Sequence, residues 1–174
     1  AALDAQTTSR MLHVLLVLPQ GVQAMSADFP GLVQTSLNLG IMELAADGLH
    51  FSYAVRSSIA SQKAMLEQRV RSIVEYAGGT VAKRSEYPAW QYQRRSRLRD
   101  TVAGAYEAVY GRKGIIAGTH GGLECGLLAE KFPGMDAVSI GPELHDVHSP
   151  RERLNVPSTQ RTYELVCEVL RRSK

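Results

Sequence analysis

Three places in the chain carry side chains suited to chemistry: a loop histidine, a strand arginine and a glycine-paired turn. His148 lies in GPELHDVHSP, a stretch bounded by glycine and proline that follows an apolar run read as a strand. Open α/β sheets put their ligands beyond the carboxyl ends of strands. Neutral imidazole is a good zinc ligand when a neighbouring acceptor fixes its tautomer. His145 and Asp146 are close enough in sequence to play that supporting part, although surface polarity explains them as well. The competing reading of His148 is an ordinary solvent-exposed loop side chain.

Arg56 follows an alternating segment, on a face otherwise made of small polar groups: Ser52 on its own strand, and Ser36 and Asn38 across an expected hairpin. A guanidinium offers a planar fork of donors that matches a carboxylate, so a free substrate carboxylate is one partner it could take. A plain strand-surface arginine is the alternative. In Thr119-His120-Gly121-Gly122-Leu123-Glu124, two glycines precede a helix. They let backbone approach a ligand, and a helix N-terminus favours an anionic oxygen. Glu124 in the first turn also complements the helix dipole. The GK[ST] ending of a phosphate loop is absent.

The elements that must position these residues follow from periodicity. A helix is expected over 7–18, with Met11, Leu12, Leu15, Leu16 and Leu18 on or near one face and Pro19 as its stop. A short strand is read over 22–25. Over 32–44, Val33, Thr35, Leu37, Leu39 and Ile41 alternate with Gln34, Ser36, Asn38 and Gly40. After the Asp47-Gly48 turn, Leu49, Phe51, Tyr53 and Val55 alternate with His50, Ser52, Ala54 and Arg56. A helix over 59–77 places Leu66, Val70, Ile73, Val74 and Ala77 in one stripe and ends at Gly78-Gly79. A further strand over 80–87 is expected to close a right-handed crossover.

A boundary is read over 88–96. Beyond it come a helix with Leu98, Val102, Ala105 and Val109, a strand over 113–117, a helix over 123–131 and a strand over 136–140. A final helix opens at Pro157-Ser158, with Leu165, Val166, Val169 and Leu170 inward. The fold class is therefore mixed, an α+β layer followed by a piece of an α/β sheet.

A length of 174 residues allows one domain or parts of two. The longest apolar run, 14–18, is far short of the roughly 20 residues of a membrane span. No charged n-region with a cleavage pattern is present from Ala1 onward. Cys125 and Cys167 form neither a disulfide framework nor a CxxC pair, so the free thiols of a cytosolic protein are expected. The net charge of +3 is mild, and its densest cluster, Arg84 with Arg94, Arg95, Arg97 and Arg99, lacks interleaved aromatics and falls on the boundary. It reads as a solvated junction rather than a nucleic-acid surface.

The pieces also form a pattern. VQTSLNLG (33–40), Arg-Ser-Ser (56–58), HGGLECGL (120–127), FPGMDAVSIGP (132–142) and HSP (148–150) occur in the order and rough spacing of the bacterial aminoacyl-histidine dipeptidases, the peptidase D type of the M20 zinc metallopeptidase family. The chain resembles them along nearly its whole length. The resemblance implies a split α/β catalytic domain with an inserted α+β lid. The chain would hold the C-terminal part of the lid, 1–93, and the C-terminal part of the catalytic domain, 94–174.

It further implies two zinc ions bridged by a water whose pKa they lower, with a glutamate taking the proton. By motif, His148 matches the C-terminal histidine ligand of one zinc. Arg56 matches the lid arginine that engages the substrate carboxylate, and Gly122 a backbone contact to substrate. Glu124 matches a position that supports the site without reacting. Ser36 and Asn38 fall in a shared motif with no direct role assigned. The general base, the bridging carboxylate, the remaining metal ligands and the lid histidine are expected upstream, so no catalytic residue is assigned within the chain. After HSP the family often has acidic residues, whereas here Arg151 precedes Glu152.

For the full-length protein, the resemblance implies zinc-dependent hydrolysis of Xaa-His-type dipeptides in the cytoplasm. For this chain alone it implies no turnover and at most weak zinc binding. The alternatives are another M20 amidohydrolase, either a tripeptide aminopeptidase or an acyl-amino-acid deacylase, and a noncatalytic lid-type module that forms a homodimer. Small peptides are the expected partners, not nucleic acid or membrane.

Overall fold

The computed structural model describes residues 3–174. It divides into two units, Ala1–Tyr92 with Gly118–Leu127, and Gln93–Ala117 with Leu128–Lys174.

The first unit is built on a three-stranded antiparallel sheet: β1 (Gly21–Met25), β2 (Val33–Ala45) and β3 (Gly48–Ser57), in the order β1-β2-β3. The expected hairpin forms, closed by the Ala45–Gly48 pair so that Ala46-Asp47 is its loop. Leu37 and Thr35 are its largest fully buried side chains, 1% and 2% exposed. Thr35 Oγ1 donates to Gln62 Oε1 at 2.8 Å, which satisfies a hydroxyl that burial would otherwise penalise. The register breaks between Leu39 and Ile41. An extra residue in one strand disrupts the alternation beyond it, and Ile41, expected on the apolar face, is 63% exposed.

Helices α1 (Ala5–Val17) and α2 (Ala60–Tyr76) supply the remaining core: Val14, Leu18, Leu66 and Val70 pack with Leu37, bordered by Phe51, Tyr53, Val55, Ile73, Val74 and Ala77. The α1 stripe is rotated from the expected one. Met11, Val14, Leu15 and Leu18 lie inward at i, i+3, i+4 and i+7, while Leu12 and Leu16 are 55% and 84% exposed. Asp4 caps α1 by accepting from the Thr7 amide. Helix α2 ends in a Schellman motif: Gly79 N donates to Val74 O and Gly78 N to Glu75 O, with Gly78 at φ 84°.

The segment 80–87 is not a strand. Side chains tie it to α2 instead: the largely buried Lys63 donates to Tyr87 O at 2.7 Å and to Glu86 at 3.3 Å, and Lys83 pairs with Glu67. The expected strand–helix–strand crossover is therefore not formed.

The second unit is a helix pair. Helices α3 (Arg97–Tyr110) and α5 (Val156–Arg172) meet through Ala105, Leu165 and Val169, with Leu98, Val102, Tyr106 and Tyr110 around them. Val166 and Leu170, expected inward, are 37% and 62% exposed, because one helical partner covers only a narrow stripe of α5. Asn155 caps α5 through the Ser158 amide, and Gly111 closes α3 in the left-handed conformation at φ 65°.

The strands expected over 113–117 and 136–140 are irregular, and Ile115 is 95% exposed. A short ladder absent from the sequence reading, β4 (Leu144–His145) with β5 (Arg153–Leu154), frames the loop that carries His148. Helix α4 (Glu124–Lys131) forms as expected. Among the described residues, no helix is long and apolar enough to cross a membrane.

Candidate functional site

On the polar face of the first unit's sheet, Arg56 stands directly opposite Ser36, and Asn38 opposite Ala54. Facing residues of an antiparallel pair hold their Cβ atoms about 4.5–5.5 Å apart. The Arg56 side chain is exposed and makes no hydrogen bond or ion pair among the described residues. Asn38 is engaged elsewhere, accepting from Gln20 Nε2 at 3.3 Å while Gln20 Oε1 takes the Leu39 amide.

The loop before α4 comes back onto this face. His120 Nε2 lies 2.7 Å from Ser36 Oγ, a contact spanning 84 positions of sequence. Its Nδ1 is sealed from solvent without a hydrogen bond of good geometry. Burial first, and the positive charge of Arg56 second, push the His120 pKa below its ordinary value, with a smaller opposing effect from the Val33 backbone. The imidazole is therefore neutral at neutral pH.

Close packing seats this loop on both sides of His120. A Cβ on Gly118 would fall 2.6 Å from Leu32 Cδ2 and 2.9 Å from Phe29 Cδ2. One on Gly122 would meet the Tyr87 ring at 2.5, 2.8 and 3.1 Å. Gly122 thus has a steric reason to be glycine that is independent of any ligand. Glu124 is exposed in the first turn of α4, where its charge complements the helix N-terminus, and it has no hydrogen-bond or ion-pair partner among the described residues.

His148 belongs to the second unit. It sits at the tip of the β4–β5 hairpin with φ 64°, and Asp146 in the same loop has φ 53°. Left-handed backbone costs a non-glycine residue roughly 1–2 kcal/mol. Local bonds hold it there: the His148 amide donates to Glu152 Oε2 at 2.9 Å, and the Ser149 amide to Asp146 O at 3.2 Å. Asp146 does not orient the His148 ring; its carboxylate pairs with Arg153 at 2.9 Å. The exposed imidazole is available as a donor to a metal, but among the described residues no group of three His, Cys, Asp or Glu could hold one.

Sequence reasoning missed His120. The distinctive feature of its motif is the backbone freedom of Gly121-Gly122, and a lone histidine carries no signal of a contact with Ser36, 84 positions away. Arg99 of the basic cluster turns onto its own chain, donating to Gln93 O and Arg94 O. Both cysteines are free thiols.

No family model matches the chain. The cytosol non-specific dipeptidase of Escherichia coli is 32% identical over 171 residues, covering 98% of this chain and 35% of that protein. The crystal structure of an aminoacylhistidine dipeptidase from Vibrio alginolyticus superposes with a TM-score of 0.84 at 32% identity, over 98% of this chain and 36% of that one. An aminopeptidase from Bacillus cereus shares the fold at a TM-score of 0.68 and 18% identity, over 93% and 44% of the two chains. The chain thus spans little more than a third of the dipeptidases it matches. In sequence and fold, over nearly all its length, the chain is similar to the cytosol non-specific dipeptidase of Escherichia coli and the aminoacylhistidine dipeptidase of Vibrio alginolyticus.

Proposed function

We propose that the full-length protein carrying this chain is a cytoplasmic zinc-dependent dipeptidase that cleaves Xaa-His-type dipeptides with relaxed specificity. The chain is its C-terminal part, joining the end of a lid to the end of a catalytic domain. The observation that carries this reading is the match, over 98% of this chain, to two dipeptidases at 32% identity. An unpaired Arg56 beside Ser36 supports it, because a dipeptidase has to recognise a carboxylate close to the bond it cuts.

Within the chain, Arg56 takes the substrate carboxylate and Gly122 offers backbone to the peptide. His148 supplies one imidazole to zinc, and Glu124 lends support without contacting the reacting atoms. The chemistry of His148 fits zinc: an exposed imidazole nitrogen on a loop held by Glu152. A single ligand cannot retain the metal tightly, so the other ligands and the general base come from the remainder of the protein. Zinc, when bound, acts as a Lewis acid on the amide carbonyl and acidifies water. Small peptides, rather than nucleic acid or membrane, are the partners.

A panel of a dipeptide, a tripeptide and an N-acyl amino acid, offered to the full-length protein, tests this function. Preference for the dipeptide by at least tenfold in kcat/KM is expected. Preference for the tripeptide or the N-acyl substrate would assign it to a tripeptide aminopeptidase or a deacylase instead.

A further inference from the structure

We propose that Arg151 is a specificity-determining residue: its guanidinium, on the loop that presents His148, favours peptides that carry an acidic side chain. This role rests on the reading of His148 as a zinc ligand. Two tight turns build the tip of the β4–β5 hairpin. Ser149 N donates to Asp146 O at 3.2 Å, and Glu152 N to Ser149 O at 3.1 Å. His148 and Arg151 hold the same third position in these consecutive turns, and Pro150 suits the second position of its turn. Three residues of chain span at most about 11 Å when extended, and the turns shorten that distance. Local bonds fix the backbone at both sites: the His148 amide donates to Glu152 Oε2 at 2.9 Å, and the Arg151 amide to Ser149 Oγ at 3.1 Å.

The acidic side chains of the hairpin are engaged elsewhere. Glu143 pairs with Arg161 at 3.1 Å and Asp146 with Arg153 at 2.9 Å, while Glu152 accepts from the His148 amide. Arg151 is exposed, and its side chain makes no hydrogen bond or ion pair among the described residues. A guanidinium stays charged at any working pH and offers a planar fork to a carboxylate. It stands just after the HSP motif, where an acidic residue would repel anionic peptides.

A dipeptide with its scissile carbonyl at the metal keeps the side chains of both residues within a few bonds of that carbonyl. An Asp or Glu side chain there is drawn to Arg151, and a neutral one is not. Because the pair remains in water beside Glu152, its effect is that of a surface ion pair and is screened by salt.

The test is steady-state kinetics of the full-length protein on two isosteric pairs, Leu-Asp against Leu-Asn and Asp-Leu against Asn-Leu, with zinc content measured for each variant. In at least one pair, Arg151→Gln should lower kcat/KM for the acidic member about two- to fivefold relative to its amide, the range of an exposed ion pair. The neutral members should stay within about twofold and zinc content should be unchanged. Arg151→Glu should enlarge the loss, and added salt should shrink the difference between parent and variant.

His148→Ala, measured alongside, should lose zinc. If it does, while Arg151→Gln and Arg151→Glu leave both ratios as in the parent, the role of Arg151 alone is overturned. An equal loss on acidic and neutral members, or loss of zinc in Arg151→Gln, would mark Arg151 as a support of the loop and also overturn it. If His148→Ala keeps its zinc and full turnover, the zinc-ligand reading fails and the role of Arg151 falls with it.

Discussion

Replacing Gly122 by alanine separates packing from ligand contact at a residue proposed to touch substrate. The new methyl would lie 2.5, 2.8 and 3.1 Å from three carbons of the Tyr87 ring. Carbon atoms settle at about 3.5–4.0 Å, so the ring has to retreat by about 1 Å. Overpacking of this kind costs about 1–3 kcal/mol. Tyr87 is 44% exposed and can swing partly outward, which puts the expected loss near the lower end, about 1–2 kcal/mol. The assay is chemical unfolding of four proteins: the parent, Gly122→Ala, Tyr87→Ala and the double variant. The loss from Gly122→Ala should disappear in the Tyr87→Ala background, because the collision partner is gone. Any rise in KM that persists in the double variant is then the ligand contact itself. A loss of the same size in both backgrounds would refute the steric explanation.

Asp136 accepts from Ser96 Oγ at 2.6 Å and from the Leu98 amide at 2.8 Å at the start of α3, so Asp136→Ala should destabilise by about 2–3 kcal/mol in chemical unfolding. Leu37→Ala, at a position 1% exposed, should cost about 2–5 kcal/mol by the same measurement. Acid sensitivity should come in an upper step from His120 and a lower one that Asp136 shares with Asp4, Asp47, Glu86 and Glu168, since all have depressed native pKa values and the unfolded chain takes up the extra protons. Stability contributed by neutral His120 is present above 6.5 and lost as pH falls through its lower native value; that of ionised Asp136 is present above 3.8 and lost below it. Unfolding midpoints from pH 8 to 3 for the parent and for His120→Gln should show the upper step vanish in the variant.

The hairpin was legible because two signals agreed: strict alternation on both sides and a turn pair between them. The α2 terminus was legible too, since Gly78-Gly79 admits the left-handed residue that a Schellman motif requires. The segments 80–87, 113–117 and 136–140 carry strand-like composition, but a strand exists only with a hydrogen-bonding partner, and alternation does not supply one. In 80–87, ion pairs to α2 determine the course of the chain. At 136–140, the Asp136 carboxylate is turned toward the α3 N-terminus. Buried Lys63 was invisible because its cost is met by Glu86 and the Tyr87 carbonyl, more than twenty positions away. The same distance problem hid His120. Arg56 and its polar face were readable because the partners lie on adjacent strands, where register follows from the hairpin itself.

Hydrolysis of β-alanyl-histidine by the full-length protein, before and after chelation and with zinc restored, bears most directly on the proposed dipeptidase activity. Cleavage that is lost on chelation and recovered with zinc is the expected result, and His148→Ala should then lower zinc occupancy as well as turnover. A folded, zinc-loaded protein that leaves the dipeptide intact would contradict it.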